Sequence, residues 1–353
     1  MVNDNWKTYL QNQGAKFVDN QGTELVTTFK SLDSITSSSF IAPLTHQALL
    51  NIAGPDSAKF MQGQLTCDVN AVTTGISSLG AACTPKGRIY TSFRLIQQEN
   101  CEPPSFMLRM RQNLIDSSIA TLGKYIVFFK SKMTSFVDTW VGIGIHGEAC
   151  DNLLTEFFGE IPTEINQATQ NERGLLIRNP GRNTRYEAWL PVTHAQALWS
   201  TLAVVVSPAS TYAWILEDIR AGIAEVSLAT AETFIPQALN FQAINAVSFS
   251  KGCYTGQEIV ARTQYRGKSK RLMLRAMLEK APTLTPGTDL LDTNSQKNVA
   301  TLVEAVRVNT EQQEVLLVVL DELAETSDWQ FTVDNQNFTG SRLELPYQID
   351  DIK

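Results

Sequence analysis

Residues 251–258 read Lys251-Gly252-Cys253-Tyr254-Thr255-Gly256-Gln257-Glu258. Thr255 and Glu258 stand in the S/T-x-x-E relation of a capping box, which predicts a helix starting at Gly256. Cys253 then lies two residues ahead of the cap, near the positive end of the helix dipole, with Lys251 close by. Both neighbours favour a thiolate over a thiol, so Cys253 is the candidate reactive group and Lys251 its electrostatic partner. Gly252 and Gly256 allow a tight turn or a close approach to a ligand. The same spacing also suits a buried cysteine at an ordinary loop-to-helix junction.

Upstream of this stretch the chain carries two versions of one unit. Leu49-Leu50-Asn51-Ile52-Ala53-Gly54 runs from an apolar strand through a glycine turn into a helix that reaches Phe60. Trp140-Val141-Gly142-Ile143-Gly144-Ile145-His146-Gly147 does the same, then enters a helical pattern at Leu153, Leu154, Phe157 and Phe158. A strand–glycine–helix unit met twice predicts two related α/β parts. Downstream, residues 272–343 read as short strands such as 316–320 and 329–333. Turn signals at Pro286-Gly287 and Asp334-Asn335 separate them, a spacing that suits a small β-barrel or sandwich. The fold class is therefore α+β. Residues 1–265 form one region made of the two α/β parts, which divide near 130–140 and are open to discontinuity, and 266–345 form the barrel.

Composition narrows the class. A chain of 353 residues exceeds what one core supports, and a hydrophobic share of 43% with 18% charged residues belongs to a globular protein. No apolar run is long enough for a membrane span, and the polar start is no signal peptide, so the expectation is a cytoplasmic protein without a membrane partner. The five cysteines (67, 83, 101, 150 and 253) form no C-x-x-C pair, which points to reduced thiols. The three histidines, 46, 146 and 194, have no cysteine or carboxylate at ligand spacing, so no metal site is expected.

Two further stretches invite a functional reading. Residues 142–147, Gly-Ile-Gly-Ile-His-Gly, satisfy the G-x-G-x-x-G expression. However, Val141, Ile143 and Ile145 alternate through it, which puts Gly142 and Gly144 inside a strand rather than at a phosphate-binding turn. Between Ile259 and Leu278 stand Arg262, Arg266, Lys268, Lys270, Arg271 and Arg275 with no acidic residue, in a chain of net charge −7. This run reads either as a solvated face or as an anion site, for a carboxylate-bearing small molecule or for RNA phosphate. Tyr265 is its one aromatic residue, so stacking of single-stranded RNA gains little support from the sequence.

K-G-C-Y-x-G-Q-E resembles the signature of the YgfZ family, folate-binding relatives of the glycine cleavage T-protein. The resemblance extends to Phe234-Ile235-Pro236-Gln237-Ala238-Leu239-Asn240 and Val247-Ser248-Phe249 ahead of the motif. It also takes in Ile52-Ala53-Gly54-Pro55-Asp56, the segment from Phe60 to Thr66, and Leu345-Pro346-Tyr347. It implies two ferredoxin-like parts and a C-terminal barrel around a central cavity that holds tetrahydrofolate or a one-carbon derivative. It further implies support of iron–sulfur enzymes, including those that thiolate tRNA, so that tRNA modification is affected indirectly.

The same resemblance assigns site residues. Glu187, in Arg185-Tyr186-Glu187-Ala188-Trp189-Leu190-Pro191, matches the glutamate that holds the pterin ring, and a carboxylate can accept two parallel hydrogen bonds there. Read from the strand alone, Glu187 is a solvent-facing residue. Trp214 falls where the family places a folate-associated tryptophan, and periodicity alone makes it a core aromatic. A second family tryptophan has no counterpart, because Gln47 stands in its place. Tyr254, Gln257, Arg262 and Arg266 complete the set assigned to the ligand. In the T-protein an acidic pair follows a glycine turn and supplies the catalytic aspartate. Here Tyr90 and Thr91 follow Lys86-Gly87-Arg88-Ile89, so aminomethyl transfer is not expected. Two other roles remain open: a folate-dependent one-carbon transferase, and a tRNA-binding module built on residues 262–275.

Overall fold

The computed structural model describes residues 2–29, 38–267 and 269–349. Contacts divide the chain into two compact units. One takes in Met1–Gln64, Asp68–Leu79 and Phe93–Trp214, and the other Leu65–Cys67, Gly80–Ser92 and Ile215–Lys353.

The first unit holds a six-stranded sheet, in the order Ala168–Asn171, Gly174–Arg178, Arg185–Pro191, Trp140–His146, Phe40–Pro43 and Ser207–Pro208. Neighbours pair antiparallel except the last two, which are parallel. Strand alternation sorts its side chains onto two faces. Ile143, Ile145, Tyr186, Ala188 and Leu190 pack against the helices Asp4–Asn12 and Val192–Leu202 through Trp6, Leu10, Leu198 and Trp199. The first of these helices is capped by Asn3, whose side chain accepts from the Trp6 amide at 3.1 Å. The other face carries Trp189 and buries it with Trp214, Leu49, Ile96 and Met107.

Leu49, Ile96 and Met107 come from a five-stranded sheet, ordered Ser78–Cys83, Ile89–Gln97, Ser105–Arg111, Gln47–Ala53 and Lys132–Ser135. Phe40–Pro43 joins the six-stranded sheet although it precedes every strand of the five-stranded one, so the chain visits the two sheets discontinuously.

Both strand–glycine–helix units are present. Gly54 (φ 143°) follows Gln47–Ala53 and leads to the helix Ser57–Gln62, and Gly147 (φ 85°) follows Trp140–His146 and leads to Asp151–Phe158. Gly142 and Gly144 lie inside the Trp140–His146 strand, as their alternation predicts. A Cβ on Gly144 would sit 2.3 Å from the Trp214 ring, and one on Gly142 would sit 2.8 Å from the Trp189 ring. These glycines make room for tryptophans and leave no turn to cradle a phosphate.

In the second unit six strands close a barrel, in the order Arg271–Glu279, Gln312–Leu320, Asn298–Arg307, Asp289–Asp292, Asp328–Val333 and Gln336–Leu343. Period-two residues such as Leu274, Ala276 and Leu278, or Val315, Leu317 and Val319, fill its interior. The Asp334-Asn335 turn closes the last hairpin with both residues at positive φ (50° and 62°), the two-residue turn that matches strand twist. Leu345 and Tyr347 then lie over Gly222 (φ 66°), where an added Cβ would come within 2.7 Å of each. The Tyr347 hydroxyl donates to the Gly222 carbonyl at 2.8 Å.

Candidate functional site

In the first unit, Glu187 pairs with Gly144 across the antiparallel ladder. Directly opposed residues project from the same face, so Glu187 shares its face with Gly144 and with the Trp214 ring that fills the glycine's space. Glu187 is 0% exposed, which overturns the solvent-facing reading of this strand position. Its counter-charges come from the five-stranded sheet, where Arg94 and Arg109 oppose each other on adjacent strands. Arg94 Nε lies 2.9 Å from Glu187 Oε1, and Arg109 Nε lies 3.3 Å from Oε2. Despite these distances, neither N–H points along a hydrogen-bonding line, and both carboxylate oxygens lack an aligned donor. Charge holds the cluster together. The Arg94 guanidinium is steadied instead by Nη1, which donates to Ser77 Oγ (2.9 Å) and Asn166 Oδ1 (2.7 Å).

Trp214, 1% exposed, opens no ring face to solvent and is a core aromatic, as its helical periodicity requires. The Arg185 guanidinium stands 4.9 Å from its ring centre and donates through Nε to the Pro180 carbonyl (2.6 Å). Gln47 is buried and lines a small pocket with Trp6, Thr45, Gln112 and Trp140. Arg94, Arg109 and Arg185 escaped the sequence reading. The signal that could have found them is a lone arginine inside an apolar strand, as in Phe93-Arg94-Leu95-Ile96 and Met107-Leu108-Arg109-Met110.

In the second unit, the 251–258 stretch lies against the Thr84–Arg88 turn. Gly256 (φ 86°) approaches so closely that a Cβ would sit 2.5 Å from the Thr84 carbonyl. This left-handed Gly256 is the helix cap, and the helix runs Gln257–Arg266. The predicted start is therefore shifted by one residue, because backbone proximity at Gly256 decides the cap position rather than Thr255. Cys253 is exposed. Lys251 Nζ donates to the carbonyls of Leu65 (2.8 Å) and Cys67 (2.7 Å) and stands 5.3 Å from the Tyr254 ring centre. Tyr254 is buried, and burial, with the Cys83 thiol next, pushes its hydroxyl pKa up. Burial also raises the Cys83 thiol to about 12. Tyr90 and Thr91 are both buried.

The basic run does not act as one surface. Arg262, Arg266 and Lys270 are exposed, Gln257 and Arg271 are half-buried, and Lys268 lies outside the described residues. Arg275 is buried and bound to Glu314. Among the described residues no group of three His, Cys, Asp or Glu could hold a metal, and no helix is long and apolar enough to cross a membrane.

The architecture defines the class. Its fold is that of the glycine cleavage T-protein: the crystal structure of the aminomethyltransferase T from Bartonella henselae superimposes with a TM-score of 0.79, covering 95% of both chains at 16% identity. The chain is 32% identical over 314 residues to the tRNA-modifying protein YgfZ of Pectobacterium carotovorum, covering 86% of this chain and 90% of that protein. An uncharacterized protein of Haemophilus influenzae is 34% identical over 316 residues, 88% of this chain and 99% of that one. The YgfZ of Yersinia pseudotuberculosis is 32% identical over 282 residues, 79% and 84% of the two chains. The chain belongs to the YgfZ family of tRNA-modifying proteins. No family model matches it.

Proposed function

We propose that the protein binds tetrahydrofolate and, through it, supports iron–sulfur enzymes on which tRNA modification depends, with Cys253 as its reactive thiol. One observation carries the folate reading. Glu187 is a wholly buried carboxylate flanked by two guanidiniums, yet it has no aligned hydrogen-bond donor. Buried polar groups are nearly always hydrogen-bonded, so an unsatisfied carboxylate calls for an explanation such as a ligand. An amino group beside a ring N–H, the donor pair of a pterin, matches its two oxygens.

The residues fit the ligand in charge as well. Arg94 and Arg109 flank Glu187, Arg185 stands two residues before it on the same strand, and folate brings negative charge in its glutamate tail. Because Glu187 is covered, the ligand must part the cluster to reach it. Tyr254, Gln257, Arg262 and Arg266 are assigned to the folate by family resemblance, and Lys251 to the electrostatics around Cys253. A bound folate supplies one-carbon chemistry, while this chain's residues supply recognition and a thiol.

The test is titration of the purified protein with tetrahydrofolate species, followed by tryptophan fluorescence. Saturable quenching is expected, because Trp189 and Trp214 share the Glu187 face. No saturable response with any reduced folate would sink the reading. Turnover of methylene- or formyl-tetrahydrofolate with an added thiol acceptor would instead favour a one-carbon transferase.

A further inference from the structure

The Gln257–Arg266 helix presents Arg262 and Arg266 one turn apart, both exposed, with Tyr265 beside them at 65% exposure. Like charges at this spacing repel each other. Among the described residues neither arginine makes an ion pair, although Glu258 sits one turn before Arg262. No acidic residue follows until Glu279, and Lys270, beyond the helix, is also exposed. The fold adds what the local sequence did not show. Phe249, from the segment ahead of the signature motif, meets Tyr265 edge-on, with ring centres 6.1 Å apart and planes at 75°. Tyr265 is thereby propped against a second aromatic while most of its surface stays in water.

From this we infer that the helix face formed by Arg262, Tyr265 and Arg266, backed by Phe249, is a contact surface for single-stranded RNA. The argument rests on complementarity in two chemistries at once. Phosphates satisfy the unpaired guanidiniums, and an unstacked base offers a flat π-face to the exposed tyrosine. An acidic peptide would satisfy the charges and leave the ring in water. The glutamate tail of a folate has the same shortcoming. A duplex keeps its bases stacked on one another, so it can use only the charges. The inference goes beyond folate binding and claims for RNA two arginines, Arg262 and Arg266, that family resemblance assigns to the folate.

The test is fluorescence anisotropy with a labelled twelve-nucleotide single-stranded RNA, measured from 50 to 200 mM salt, beside a duplex of the same length. Binding of the single strand is expected to be tighter than that of the duplex. Tyr265→Ala should weaken it about tenfold, and Tyr265→Phe should restore it. The Arg262→Gln/Arg266→Gln pair should reduce the slope of log affinity against log salt by about 1.4, at about 0.7 per phosphate contact on a single strand. Tyr265 is largely exposed, so Tyr265→Ala should keep the parent's thermal midpoint and its tetrahydrofolate titration. That separates failure here from failure of the folate reading. The inference is overturned if the RNA does not bind, if Tyr265→Ala binds like the parent, or if polyglutamate displaces the RNA at lower concentration than unlabelled RNA does.

Discussion

Each unit contains a carboxylate between two arginines, and the two clusters are built differently. Glu314, in the barrel, accepts from Arg220 Nη2 (2.7 Å) and Nε (3.1 Å) on one oxygen, and from Arg275 Nη2 (2.6 Å) and Nε (3.2 Å) on the other. Arg220 also donates to Glu217 at 2.9 Å. Every contact is an aligned, charge-assisted hydrogen bond. Burial alone would raise the Glu314 carboxyl, but the hydrogen bonds and charges of Arg220 and Arg275 outweigh it and hold its pKa below the ordinary value. Glu187 is flanked by the same number of guanidiniums, with Nε 2.9 and 3.3 Å away, and neither Nε–H is aimed at it. The saturated cluster is a staple, with no acceptor capacity left for a ligand. The unsaturated one retains the capacity that recognition needs.

The strongest way to break this comparison is Glu314→Ala. It strands Arg275 in the protein with its charge uncompensated, and should cost about 3–5 kcal/mol in urea unfolding. The folded fraction should bind tetrahydrofolate like the parent. A loss of folate affinity at unchanged stability would reverse the roles assigned to the two clusters. The acid limb adds a sign. Because the folded pKa of Glu314 is depressed, its contribution is complete above the unfolded carboxyl value near 4.3 and fades as pH falls through the lower folded value. The stability gap between the parent and Glu314→Gln should therefore close as the pH drops below about 4. A gap that widened there would contradict the linkage.

Next in size is Glu187→Gln, which keeps the shape and removes the charge. Tetrahydrofolate affinity should fall about ten- to a hundredfold, corresponding to roughly 1–3 kcal/mol. Unchanged binding by a folded variant would leave Glu187 a structural group like Glu314.

Smaller again is Tyr347→Phe, which removes the hydroxyl that donates to the Gly222 carbonyl and should cost about 1 kcal/mol by thermal unfolding. No effect would mean that ring packing on Gly222, and not the hydrogen bond, anchors the tail.

The subtlest contrast is chemical and lies within the second unit. Cys253 is exposed, whereas burial raises the Cys83 thiol to about 12 and so suppresses its thiolate near neutrality. Limiting iodoacetamide at neutral pH should label Cys253 ahead of Cys67, Cys83, Cys101 and Cys150 in a peptide map. First labelling of Cys67 or Cys83 would remove the basis for naming Cys253 the reactive group.

The sequence by itself determined what depends on neighbours along the chain. Period-two alternation marked the barrel strands, and two strand–glycine–helix units marked the α/β parts. The same alternation showed that Gly142 and Gly144 belong to a strand. The signature at 251–258 pointed to the family. Tertiary structure alone decided which charges meet. Arg94 and Arg109 reach Glu187 from another sheet, Arg275 leaves the basic run to join Glu314, and Phe249 comes to rest on Tyr265. It also moved the helix cap to Gly256, because the Thr84 carbonyl lies too close for any side chain there. The reason is physical: strand and helix periodicity are read from local spacing, whereas the partner of a buried charge is set by which distant strands the packed core brings within a few ångströms.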